Sequence, residues 1–177
     1  MMMKESFHYK IMYFMHDNPI LGRIRNPYDI LRNIGIKEGM SVLDIGADPG
    51  FFTIPAAKIV GPNGRVFALD IYFKSGEIIK NKMKKENLEN IEFLLESAEK
   101  TSLPDSSIDF AIMFGIIHNI KFLEILKNEL KRIIKSNGKI AIEKIPFIKR
   151  EDIINSMAEY FSFEKNYKNI LVFKKMK

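Results

Sequence analysis

The chain contains no cysteine. That excludes a disulfide framework, a thiolate metal site and a cysteine nucleophile. Its three histidines, His8, His16 and His118, are scattered and lack zinc-ligand spacing, so no metal is expected. No apolar run is long and clean enough to span a membrane. The methionine-rich N-terminus is broken by Lys4, Glu5, Lys10 and Asp17, which also argues against a signal peptide. A cytoplasmic protein with no membrane partner is the expectation. Nor is there an internal repeat, a low-complexity tract or a linker. The 177 residues suit one domain, and 46% apolar content is that of an ordinary globular core.

The charge balance is basic, with a formal net charge of +6, which invites a nucleic-acid reading. The lysines are dispersed, however. The densest group, Lys80, Lys82, Lys84 and Lys85, falls in a helical stretch and is diluted by Glu77 and Glu86. No arginine cluster interleaves with aromatics. A solvated helix face explains this pattern better than an RNA-binding patch, and a nucleic-acid partner is not favoured.

From residue 41 onward, short apolar runs alternate with helical patterns, which predicts a mostly parallel sheet with helices on both faces. Strands are expected near 41–45, 65–70, 91–96, 108–113 and 138–145, with helices near 51–60, 74–87 and 119–135. A helix near 149–160 and two strands near 161–167 and 169–174 follow; the short gap at 167–169 makes those strands an antiparallel hairpin. Upstream, Phe7, Ile11 and Phe14 fall at helical spacing within 5–16, and a short helix is expected over 27–34. No separate substrate domain is visible, so residues 1–33 are expected to cap a core of residues 34–177.

The most informative stretch is residues 42–53. A strand (Val42, Leu43, Ile45) runs into a turn bracketed by Gly46 and Gly50, and a helical run follows. Such a turn places backbone N–H groups and a helix N-terminus beside a nucleotide-like ligand. Asp70 closes the next strand, where an acid can accept ribose hydroxyls. A dinucleotide fingerprint would need glycine where Asp48 and Phe51 stand, and no Gly-Lys-Ser/Thr follows for a P-loop. Asp44 and Asp48 instead favour an uncharged or cationic ligand. S-adenosylmethionine (SAM) has a ribose, an adenine, an ammonium and a sulfonium, and no phosphate.

These residues resemble the class I SAM-dependent methyltransferases. Val42 to Phe52 is similar to that family's first motif, with Asp48 in place of its third glycine. Phe67-Ala68-Leu69-Asp70 resembles the ribose-binding strand end. Ser97-Ala98-Glu99 with Leu103-Pro104 resembles the adenine loop, where aspartate is commoner than Ser97. Asp109 to Met113 looks like the fourth strand, and Leu130 to Lys139 like the helix, turn and fifth strand. The blocks fall in family order, in the style of the ubiquinone/menaquinone C-methyltransferase branch. The resemblance implies a Rossmann-like three-layer α/β sandwich with a mostly parallel seven-stranded sheet and a C-terminal antiparallel hairpin strand.

It also implies SAM as cofactor and a set of binding positions. Asp44, Gly46, Ala47, Asp48 and Gly50 would lie at the methionine end, with the two glycines letting the backbone pass close beneath it. Asp70 would take the ribose, Ile71 would pack on an adenine face, and Ser97 and the Ala98 N–H would meet the adenine edge, with Phe114 nearby. Because Pro49 restricts the residue before it to extended conformations, position 48 is expected to need no positive φ.

Methyl transfer to an activated carbon needs mainly alignment, so no strong catalytic signature is required. His118 is the candidate base, with an ordinary helix-opening role as the alternative. Tyr13 and His16 are candidates to line the acceptor side. Phe114-Gly115-Ile116-Ile117-His118-Asn119 lacks the Asn/Asp-Pro-Pro-aromatic motif of amino methylation, which disfavours exocyclic amines of nucleobases. The expected activity is methyl transfer to a small-molecule acceptor. The alternatives are a non-catalytic SAM-binding protein with a degenerate glycine loop at Asp48, or an RNA or protein methyltransferase.

Overall fold

The computed structural model describes residues 25–117 and 120–177. Helix α1 (Pro27–Ile34) comes first. The Asn26 side chain caps it, accepting the N–H groups of Tyr28 and Asp29 at 3.0 and 3.3 Å. Pro27 sits in the first turn, where its missing donor costs nothing, and Gly35 at φ +116° ends the helix. There follow β1 (Ser41–Ile45), α2 (Thr53–Val60), β2 (Arg65–Asp70), α3 (Phe73–Glu86), β3 (Ile91–Leu95) and β4 (Ile108–Met113). The chain continues through α4 (Ile120–Ile133), β5 (Ile134–Glu143), α5 (Arg150–Met157), β6 (Phe161–Tyr167) and β7 (Ile170–Lys175).

The strands form one sheet in the order β3-β2-β1-β4-β5-β7-β6. The first five pair in parallel; β7 runs antiparallel to both β5 and β6. This is the three-layer α/β architecture with a terminal hairpin that the sequence pattern predicts. Alternate residues of each strand divide between two buried clusters. Leu43, Ile45, Met113 and Ile142 share one with Leu123, Leu126 and Leu130 of α4 and Ile153 and Met157 of α5. Val42, Val66, Ile112 and Val172 share the other with residues of α1, α2 and α3. Because the central strands are buried on both faces, they read as nearly continuous apolar runs. Ile30, Leu31 and Ile34 place α1 in this second layer. The helix expected over 5–16, and with it most of the expected cap, lies outside the described residues. Among the described residues no helix is long and apolar enough to cross a membrane.

One strand departs from expectation. β5 begins at Ile134, directly after α4, rather than at 138. Ile108 pairs with Ile134, but Phe110 pairs with Lys139, so residues 135–138 bulge opposite Asp109. Asn137 turns the bulge at φ +67°. Lys135 fastens it, its Nζ donating to both Asp109 carboxylate oxygens at 2.9 and 2.8 Å. The turn expected at Ser136-Asn137-Gly138 is thus a bulge inside a strand.

Strand order reverses at β1, which sends one connection toward β2 and β3 while β4 and β5 lie on its other side. In an open α/β sheet, the crevice at the carboxyl ends beside such a switch point is where a ligand binds.

The bulge is tightly built. A Cβ at Gly138 would sit 2.7 Å from Ile134 Cγ2, 2.9 Å from the Lys135 carbonyl and 3.1 Å from the Asp109 carbonyl. Two of these are backbone and cannot retreat alone, so Gly138→Ala should lower stability by about 1–3 kcal/mol. Urea unfolding measures this; an unchanged midpoint would mean the bulge is loose.

Candidate active site

At the switch point the ends of β1 and β2 are tied together by the loop that follows β1. The N–H groups of Gly46 and Ala47 both donate to the Leu69 carbonyl, at 2.9 and 3.0 Å. The next amide, of Asp48, donates to Asp70 Oδ2 at 2.8 Å. Asp70 is 4% exposed and also accepts the Ser75 hydroxyl on Oδ2 (3.1 Å) and the Tyr72 N–H on Oδ1 (2.9 Å). The first three amides of the loop therefore bond within the protein rather than face a ligand anion. That accords with a ligand that has no phosphate.

Asp48 itself is a correction. Its φ is +46°, in the left-handed region, not the extended conformation expected of a residue before proline. The bond from its N–H to Asp70 holds it there, and aspartate tolerates that region better than most side chains. Where the family's first motif has glycine, this chain thus has one of the few other residues able to take a left-handed backbone.

The two bracketing glycines also have reasons internal to the protein. Gly46 and Gly50 have φ of +73° and +85°. A Cβ on Gly46 would lie 2.3 Å from Ile116 Cγ2, and one on Gly50 would lie 3.0 Å from Ile79 Cγ1. Gly46 lets the segment after β4 settle on the loop, and Gly50 lets α3 approach it.

Three carboxylates meet here. Asp44 is buried at 3% exposure on the α2 side of β1, and its Oδ2 accepts the Thr53 hydroxyl at 2.6 Å. Burial pushes its pKa up to about 7; the Thr53 bond lowers it, and the charges of Asp48 and Asp70 raise it again. The floor of the site therefore carries a negative potential that a bound cation would relieve. The ammonium and sulfonium of SAM fit that floor, and a diphosphate does not.

The remaining expected positions lie around this floor. Ile71 (63% exposed) and Ser97 are at the ends of β2 and β3, and Ala98 is half-buried beside Ser97. Phe114, just past β4, is buried and meets Phe52 edge-on, with ring centroids 4.7 Å apart. Phe52 in turn contacts Phe51 in a T-shaped pair. His118, Tyr13 and His16 lie outside the described residues.

Sequence reasoning missed one pair at the rim. Arg25 stands over the Phe52 ring at 5.1 Å and donates through Nη2 to both oxygens of Glu143, each at 2.8 Å. Glu143 ends β5 and also accepts from Asn169 Nδ2 at 3.0 Å. The partners are 118 residues apart, and no local signal links them.

Residues 36–174 match a family profile described as a methyltransferase domain. The chain belongs to the class I SAM-dependent methyltransferases. A demethylmenaquinone methyltransferase of Lactococcus lactis is 31% identical over 149 residues, covering 81% of this chain and 54% of that protein. A ubiquinone/menaquinone biosynthesis C-methyltransferase, UbiE, of Hahella chejuensis is 31% identical over 132 residues, covering 73% and 52%. The chain spans about half the length of the curated relatives it matches. Among solved structures, a SAM-dependent methyltransferase from Aquifex aeolicus superposes with a TM-score of 0.68 at 28% identity, covering 90% of this chain and 94% of that one. The PH0226 protein of Pyrococcus horikoshii shares the fold at a TM-score of 0.77 and 19% identity, covering 96% of this chain and 98% of its own. SAM is the cofactor of this family.

Asp44 makes a signed prediction about stability. Between pH 4 and pH 7 its folded carboxyl holds a proton that the unfolded chain has lost, so its contribution to stability declines as pH rises across that range. Asp44→Asn removes the decline. In calorimetric melts of the unliganded protein, the variant should gain on wild type between pH 5 and pH 8; parallel pH curves would mean that Asp44 is ionised throughout.

Proposed function

We propose that this chain binds SAM at the β1 and β2 strand ends and transfers its methyl group to a small, largely apolar acceptor. The observation that supports the cofactor half is the meeting of Asp44, Asp48 and Asp70 around one loop, with Asp44 destabilised as an anion first by burial and then by the charges of the other two. SAM supplies an already activated methyl carbon. What the residues contribute is binding and alignment. Asp44 and Asp48 face the cationic tail, Asp70 takes the ribose hydroxyls alongside its backbone donors, and Ile71, Ser97 and Ala98 enclose the adenine. A bound cation favours the ionised form of Asp44, so the carboxyl gives up its proton as the tail arrives.

The acceptor half is supported by the edge-on run of Phe51, Phe52 and Phe114 beside the loop, which suits an apolar ring held dry. The relatives named for demethylmenaquinone and ubiquinone/menaquinone biosynthesis act on quinone-type molecules by their names, and that favours the same class here. The basic surface gives little support to an RNA acceptor. Lys58, Lys74, Lys127, Lys135 and Lys139 are each paired with a carboxylate of this chain.

A second reading, a SAM-binding protein without turnover, is favoured by Asp48, whose side chain stands where the family has no side chain at all. Two experiments separate these. Calorimetric titration with SAM should give binding by wild type, and Asp70→Ala should weaken it about ten- to hundredfold, the worth of hydrogen bonds to a charged group. No heat with wild type but clear binding by Asp48→Gly would mean that Asp48 closes the site. Incubation with SAM and a cell extract should then yield S-adenosylhomocysteine; binding with no turnover against any extract favours the second reading.

A further inference from the structure

The segment between β3 and β4, residues 96–107, contains the two positions assigned to the adenine edge, Ser97 and Ala98, yet forms no helix or strand of its own. Something else must fix it. We propose that the buried Glu129 and the half-buried Arg132 of α4 are positioning residues that hold this segment in register and thereby set the discrimination of adenine from other bases. The inference rests on the SAM reading above and adds to it a determinant of base specificity more than thirty positions downstream of Ser97.

Glu129 is 8% exposed, and both of its oxygens are engaged. Oε1 accepts the Thr101 N–H at 2.8 Å, the Thr101 hydroxyl at 2.7 Å and Arg132 Nη2 at 2.6 Å; Oε2 accepts Arg132 Nε at 3.0 Å. Arg132 then reaches further along the segment. Its Nη2 donates to the Thr101 carbonyl at 3.2 Å, and its Nη1 to the Leu103 carbonyl at 2.8 Å and to Asp105 Oδ1 at 2.7 Å. One carboxylate and one planar guanidinium thus grip residues 101, 103 and 105 together. Lysine has neither the fork nor the number of donors to do the same. Burial raises the Glu129 pKa, but the Arg132 and Thr101 hydrogen bonds overcome it and hold it at about 2, so the grip stays charged across the physiological range.

The grip is transmitted to the base. The Lys100 N–H donates to the Ser97 carbonyl at 3.3 Å and the Glu99 N–H to Ser97 Oγ at 3.4 Å, closing a turn over 97–100. The Ser102 N–H donates to Glu96 Oε2 at 2.8 Å and closes the other side. With Thr101 fixed, the position of this compact turn, and hence of the Ala98 N–H, is fixed too. That N–H is the selective group. Adenine N1 is an acceptor, whereas N1 of hypoxanthine carries a hydrogen and leaves the donor opposed; the Ser97 hydroxyl suits either base.

The test compares S-adenosylhomocysteine with S-inosylhomocysteine by calorimetric titration of the whole chain. Wild type should prefer the adenine ligand by about tenfold or more, the worth of one donor left without its partner. Arg132→Lys should bring the ratio of dissociation constants toward one. The double variant Glu129→Leu/Arg132→Leu, which leaves no lone buried charge, should do the same whatever its melting temperature. A merely structural pair would lower the melting temperature and leave the ratio unchanged, and that result overturns the proposal. So does a wild type that binds both ligands equally. A wild type that binds neither overturns the adenosyl reading itself, and this inference with it.

Discussion

The short hydrogen bonds that join the end of β1 to the end of β2 govern the rest of this site. Leu69 accepts two amides of the loop, and Asp70 accepts a third together with the Tyr72 N–H and the Ser75 hydroxyl. Through them the glycine loop, Asp70 and the start of α3 become one rigid piece. The loop can then hold Asp48 at positive φ, and the chain can do without the family's third glycine. A carboxylate that accepts donors from three residues cannot swing, so it offers its remaining lone pairs in a fixed direction. Preorganisation of that kind suits the holding of a ligand in one fixed alignment.

Electrostatics points the same way. Burial, and after it the charges of Asp48 and Asp70, raises the Asp44 pKa to about 7. Unliganded, the site is therefore strained in charge and satisfied in hydrogen bonding. Elsewhere the protein neutralises its buried charges: Glu129 with Arg132 and Glu143 with Arg25 are pairs in direct contact.

Most of the scaffold was legible because its signals are local. β1, β2, β4 and β6 have the bounds that their apolar runs and flanking glycines and polar residues predict. α1 is announced by Asn26-Pro27 and closed by Gly35. What was illegible depends on partners far along the chain. Reasoning from Pro49 alone gave Asp48 the wrong φ because the deciding contact is to Asp70, 22 residues on. The early start of β5 depends on Asp109 anchoring Lys135, and the Arg25–Glu143 and Thr101–Glu129 contacts have no sequence signature. The site residues of the first motif were named, but their mutual bonding was not foreseeable from spacing.

The place of β7 has a consequence for how the molecule is made. It is the final strand in the chain but the sixth across the sheet, lying between β5 and β6 with its direction reversed. Until residues 170–175 have left the ribosome, β5 has one flank without a neighbour, and that flank belongs to a strand containing Ile140, Ala141 and Ile142. The nascent protein thus emerges with an open, sticky border, the kind of template on which copies adhere to one another. Synthesis of the hairpin covers it.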